Sequence, residues 1–312
     1  MPARTHLNQV SHLLPRRAVI AALAGAALAR PSLAQDFSKI EITTQKLSDT
    51  LYMLVGAGGN IGLSIGPDSV FVIDDQYAPM APKIKAAIAK LTPRPVQWVL
   101  NTHFHFDHTG GNEAFGSDGA LIVAHHNVRR RLSADQLINF AGSANTQKAS
   151  PKVALPVVTV AGEISFHING DEVHAFHVPR AHTDGDLIVH FKTGNVVHMG
   201  DVFFNGMYPF IDGGSGGTAE GAIAAYDRVL ALADENTKII PGHGPLASKA
   251  DLLAMRTMMA AVNLRIKALR AAGRNDADIR AAKPAAEFDT RFGGGFIKPD
   301  AFVQQMLDVS AK

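Results

Sequence analysis

The chain has 312 residues, 46% hydrophobic and 19% charged, with 30 Lys or Arg against 28 Asp or Glu and no cysteine. That balance belongs to a soluble globular protein with room for a sizeable core, and the missing thiol excludes a disulfide framework, a thiolate nucleophile and thiolate metal ligands. Any metal must be held by nitrogen and oxygen.

Residues 1–34 read as an export signal removed from the mature protein. Arg16 and Arg17 precede an apolar, Ala-rich stretch from Ala18 to Ala29, and Ser32 and Ala34 offer a small-residue cleavage site before Gln35. The paired arginines and Arg30 resemble a twin-arginine signal, which predicts a periplasmic protein exported already folded. The apolar stretch is too short to span a bilayer. Removing Arg4, Arg16, Arg17 and Arg30 leaves 26 basic residues against 28 acidic ones. A net charge of −2 gives no electrostatic footprint for nucleic acid.

From residue 35 to 312 one compact domain, or two intimately packed halves, is expected. "LYMLVG", "NIGLSIG" and "SVFVIDD" read as an opening antiparallel meander, since they are rich in β-branched and aromatic residues between Gly, Pro and Asp. "APKIKAAIAKL" has helical spacing, "VQWVLN" reads as a buried strand, and "NTHFHFDHTGGN" stands where that strand hands over to a helix. "ALIVA" is a further strand. "VRRRL", with Arg129 to Arg131, reads as the solvated face of a helix, and Ala141 to Pro156 reads as a loop.

A second half repeats the plan with strands at "EISFHI", "VHAFHV", "DLIVHFK" and "NVVHMGD", a helix near Glu220 to Ala233 and a short strand in "TKIIPGHG". A long helix over Lys249 to Gly273 and another in "KPDAFVQQML" close the chain, and Met255, Met258 and Met259 read as core filling. Sheet and helix, twice over, predict two packed sheets with helices outside.

The sequence contains 14 histidines. His167, His174, His177, His190 and His198 lie in or beside strands, where packing or a backbone hydrogen bond accounts for them, and His125 and His126 follow "ALIVA". Five others stand at element ends beside acids or glycines: His103, His105, His108, His182 in "RAHTDGD" and His243 in "PGHGP". Asp201 in "HMGD" also follows a strand. Strand ends on one side of a sheet converge, so these loops can build one site.

Alternation aims His103 and His105 the same way, while Asp107 and His108 continue to a second centre. On this reading His103, His105 and His182 hold one metal, Asp107, His108 and His243 a second, and Asp201 bridges. Two divalent cations outweigh the two carboxylates, so the residual charge lowers the pKa of a bridging water and attracts an anionic substrate. Three protein ligands per metal with an open position is a catalytic pattern.

"HFHFDH", "HTDGD", "MGD" and "PGHG", in this order, resemble the metallo-β-lactamase superfamily over nearly the whole mature chain. The resemblance implies an αββα sandwich with two zinc ions per chain between the sheet edges, and by position the same ligands. It implies a hydrolase in which a metal-bridging hydroxide attacks a lactam, lactone, ester or amide carbonyl. Asp201 stands where zinc β-lactamases often carry Cys or Ser, so only weak β-lactamase activity is expected. A mononuclear iron persulfide-type dioxygenase and a thioesterase of the glyoxalase II type share the scaffold and are the alternatives.

Asp107 is also expected to orient the hydroxide. Asp75 and Asp186 are divided between fixing a histidine tautomer and capping a strand end or turn. Phe204, Met207, Tyr208 and Phe210 are divided between an apolar wall over the metals and the core beneath it. "GAGGN", residues 56–60, and Ser143 to Ser150 are candidate flaps.

Overall fold

Runs of Val, Ile, Leu and Phe between Gly, Asp and Pro break the chain into short strands. The computed structural model describes Met1 and residues 36–140 and 143–311. The export signal expected in residues 1–34 lies, Met1 apart, outside the described residues.

The first sheet opens as an antiparallel meander of β1 (Thr43–Lys46), β2 (Leu51–Val55), β3 (Ile61–Ile65) and β4 (Val70–Ile73). Helix α1 (Ala81–Ala89) then crosses to β5 (Trp98–Asn101), which runs parallel to β4. Two short helices follow, α2 (Phe106–Thr109) and α3 (Asn112–Ser117), then the parallel strand β6 (Leu121–His125) and α4 (His126–Leu132).

A hairpin of β7 (Gln136–Phe140) and β8 (Ser143–Gln147) stands apart from both sheets, before β9 (Val158–Val160) completes the first one parallel to β6. The sequence reading made Ala141 to Pro156 a loop. Ala and Asn are weak strand formers in isolation, but Gln136–Phe140 gives this segment a ladder, with Ile138 opposite Asn145.

The second sheet repeats the arrangement. Strands β10 (Glu163–Ile168), β11 (Asp171–His177), β12 (Leu187–Phe191) and β13 (Val196–His198) form an antiparallel meander. Helix α5 (Ala219–Leu232) then leads to the parallel strand β14 (Lys238–Ile240). Helices α6 (Lys249–Ala271), α7 (Asp276–Ala281), α8 (Asp289–Phe292) and α9 (Pro299–Val309) finish the described chain.

Period-two alternation explains the four layers. Phe71 and Ile73 of β4, Leu100 of β5 and Val123 of β6 meet Val173, Leu187, Val189 and Ile240 between the sheets. Their neighbours Val70, Val72, Val99 and Ile122 turn outward onto Ile84 and Ile88 of α1 and Phe115 of α3. On the other side Ile188, Val197 and Ile239 meet Tyr226 of α5, Met255, Met258 and Met259 of α6, and Met306 of α9. The expected αββα sandwich is the fold observed, and the three methionines are core.

Candidate metal centre

The parallel strands set the site by ending on one edge. β5 leads directly into Thr102 and His103, and His105 is extended (φ −61°, ψ 146°) while serving as N-cap of α2. That single helical turn swings Asp107 and His108 to another side of the site. The loop after β11 brings His182, the turn after β13 brings Asp201, and the loop after β14 brings His243.

All seven residues singled out in the sequence come together, in two groups. The ligand-type atoms of His103, His105, His182 and Asp201 lie within 4.8 Å of one another, as do those of Asp107, His108, Asp201 and His243. Asp201 belongs to both. Its Oδ2 lies 3.8 Å from His103 Nε2 and 3.7 Å from His182 Nε2, while its Oδ1 lies 2.9 Å from His108 Nε2 and 3.3 Å from His243 Nε2. His243 Nε2 is also 3.2 Å from Asp107 Oδ2.

Hydrogen bonds on the far side of the rings fix which nitrogen faces inward. His182 Nδ1 sits 2.8 Å from the Phe210 carbonyl, which only accepts, so it carries the proton and Nε2 presents a lone pair. His105 Nε2 faces Asp212 Oδ2 at 3.0 Å, leaving its Nδ1 bare, and His108 Nδ1 faces Asp74 Oδ2 at 2.7 Å, turning its Nε2 into the site. The Thr102 hydroxyl donates to Asp74 Oδ2 and accepts from His103 Nδ1 at 3.1 Å, so His103 Nε2 is bare too.

These bare atoms face one another. His105 Nδ1 and His182 Nε2 are 3.0 Å apart, and His103 Nε2, His108 Nε2 and Asp201 Oδ1 are buried without an aligned hydrogen-bond partner. Lone pairs crowded together in a dry site repel unless a cation lies among them. Burial holds His103 well below the ordinary imidazole value and His182 down at about 4, so at neutral pH protons do not fill that role on these two rings. The residues fit metal ions of the kind nitrogen and oxygen hold.

The second group behaves differently. Burial opposes charge on His243, but Asp201 and the bonded Asp107 outweigh it and raise the imidazole to about 9. His108 moves up in the same way against its burial, through Asp201 and then Asp107. A cation entering here displaces protons.

Asp74 and Asp212, which the sequence reading missed, are the acids that fix histidine rings. Asp75 instead accepts from the Gly111 backbone at 2.8 Å, and Asp186 accepts from the backbone of His182 and Thr183 at 2.7 and 2.8 Å, holding the loop rather than a ring. Adjacent acids at a strand end point to opposite sides, and Asp74, at φ 62°, is the one turned to His108.

Arg131 is not part of a solvated face. Its guanidinium grips Asp184 in a bidentate pair at 2.8 and 2.9 Å and donates to Ser215 O, tying α4 to the loop that carries His182. The "GAGGN" segment is a clamp rather than a flap: Asn60 donates its side-chain amide to Pro241 O and Gly244 O, both at 2.9 Å. Gly59 lies against His108 so closely that a Cβ there would meet the ring at 2.1 Å, and at Gly242 one would meet Asp201 Oδ1 at 2.0 Å. The apolar wall divides. Phe204 and Phe210 line the cleft over the two groups, whereas Tyr208 is buried with its hydroxyl on Asp289 and Met207 packs against Gly295.

The family model of the metallo-β-lactamase superfamily matches residues 56–243, more than half of the chain, and the chain belongs to that superfamily. It is 30% identical over 164 residues to a hydroxyacylglutathione hydrolase of Polaromonas sp., a stretch covering 50% of this chain and 52% of that protein. The chain thus spans about half the length of that curated relative. Among solved structures, a metallo-β-lactamase from Pontibacter korlensis matches with a TM-score of 0.58 at 16% identity, over 70% of this chain and 99% of that one. A stereoselective inverting sec-alkylsulfatase from Pseudomonas sp. matches at 0.63 and 17%, over 85% and 49%. At such identities these two speak for the fold alone.

Proposed function

We propose that the protein is an exported, zinc-dependent hydrolase that cleaves a carbonyl-centred bond of a small molecule: a lactam, lactone, ester or amide. His103, His105 and His182 would hold one zinc ion, Asp107, His108 and His243 the other, with Asp201 between them. The observation that carries this reading is the Asp201 carboxylate, which turns one oxygen to each group. Two such groups favour two ions over the single iron of a dioxygenase.

When bound, the ions supply a water acidified toward neutrality and polarise the carbonyl. The chain's own residues do the rest. Asp74, Thr102, Asp212 and the Phe210 carbonyl hold four imidazoles in one tautomer. Asp107 reaches the cleft and orients the attacking water through its carboxylate. Phe204 stacks on His243 at 5.2 Å and helps exclude bulk solvent.

Metal-loaded protein should hydrolyse a panel of esters, lactones and β-lactams, with lactam turnover modest, and should lose activity to chelators and regain it with zinc. A loaded protein cleaving none of the panel overturns the reading. Thioester cleavage is the second reading, favoured by the printed name of the Polaromonas relative; a hydroxyacylglutathione thioester in the same panel separates the two. Export predicts that periplasmic protein begins at Gln35, and intact Met1 on cytoplasmic protein alone would refute it.

A further inference from the structure

The cleft over the two groups has a volume of about 340 Å³, within the range of small-molecule sites. Six of its lining residues are aromatic: Tyr77, Phe106, Phe140, Phe204, Phe210 and Phe296. They come from distant parts of the chain and meet ring to ring. Phe140 of the β7–β8 hairpin contacts Phe210 at 4.9 Å and Phe296 at 5.5 Å, Phe296 contacts Phe204 at 5.7 Å, and Tyr77 contacts Phe106 at 5.6 Å.

Charge is missing from these walls. Among the described residues lining the cleft there is no Lys or Arg, and outside the two groups only Tyr77 and Asn145 bring polar side-chain atoms. The two most exposed phenylalanines among the described residues, Phe106 at 39% and Phe296 at 42%, both belong to this cleft. Apolar rings left in water at the mouth of a concave site gain by being covered. A carboxylate carried out to the same walls would lose its water and find no cation in exchange. The attraction for anions expected from the sequence rests on the metals alone and does not extend along the walls.

We propose that the cleft selects substrates whose acyl group ends in an uncharged aromatic ring, with Phe140 and Phe296 as the contacts that set this preference. The inference rests on the hydrolase reading for calling the occupant a substrate. Alternation along β7 supports it. Ile138, two residues before Phe140, lines the cleft on the same side, while the intervening Asn139 is exposed and Leu137 is 62% exposed.

The test uses zinc-loaded protein and two pairs of compounds: the nitrophenyl ester of phenylpropanoic acid and the same ester with a carboxylate on the phenyl ring, and the matching N-methyl amides, whose binding is read by calorimetry at a temperature and over a time for which chromatography shows them intact. The neutral member of each pair should be favoured roughly tenfold, in KM for the ester and in Kd for the amide. Phe140→Ala and Phe296→Ala should each erode that preference with zinc content unchanged, and Phe296→Lys should shift it toward the carboxylate.

Ester turnover without a preference would overturn the selectivity and leave the hydrolase reading intact. Amide binding with the preference but no ester turnover would sink the hydrolase reading and support the cleft's selectivity. Failure of the neutral amide to bind, or a preference that survives both alanine variants, overturns the proposal.

Discussion

Asp74 Oδ2 lies 2.7 Å from Nδ1 of His108, and the same oxygen accepts from Thr102 Oγ1 at 2.7 Å, which in turn faces His103 Nδ1. One buried carboxylate therefore orients a histidine in each of the two groups. Asp74→Asn removes the charge that keeps both rings aimed. It should weaken zinc binding roughly 10- to 100-fold, read by competition with a chelating dye, while the far-ultraviolet circular dichroism stays that of the parent.

Gly59 is required by contact rather than by its own backbone angle. Gly59→Ala places a methyl on the His108 ring, and neither the ring, held by Asp74, nor the clamp, held by Asn60, has room to move. On the proposed two-zinc reading the expected outcome is loss of the ion assigned to Asp107, His108 and His243, with the other retained. Zinc content at parental level in this variant would contradict the account of the clamp.

Arg131→Ala should cost about 2 kcal/mol in denaturant unfolding, since it leaves Asp184 without its bidentate partner beside the His182 loop. Arg131→Lys should recover little of this, because an ammonium cannot satisfy both carboxylate oxygens and the Ser215 carbonyl from one position.

The two groups of the candidate metal centre were legible in the sequence because their residues crowd the ends of strands beside acids and glycines, a pattern core histidines lack. Layering was legible through the order of the elements, strands and then helix twice over. The acids behind the histidines were not. Asp74 and Asp75 are chemically identical neighbours, and only the fold shows that Asp74, with its left-handed backbone, faces His108 while Asp75 faces Gly111. Asp212, in "PFIDGG", carries no local pattern at all, since its partner His105 is 107 residues away. The β7–β8 hairpin escaped notice because its second strand has the composition of a loop and gains its ladder only from its partner.

His125 ties stability to pH away from the metal site. Its Nδ1 caps α4 by accepting from Asn127 N at 3.3 Å, which needs the neutral ring, and its ring stacks on His177 at 3.9 Å. Burial first, and the neighbouring His177 next, lower it from 6.5 to about 4. The unfolded chain therefore binds the extra proton between those values, so this contribution is complete above pH 6.5 and is lost as pH falls toward 4. His125→Asn keeps a cap without the titration and should flatten that part of a Tm-against-pH curve. An unchanged acid limb would rule His125 out.

Metal stoichiometry of the purified protein, measured by mass spectrometry of the elements for the parent and for Asp201→Ala, tests the two-centre account most directly. The account predicts close to two zinc ions per chain in the parent and at most one in the variant. A parent holding a single iron, or a variant that still retains two zinc ions, would contradict it.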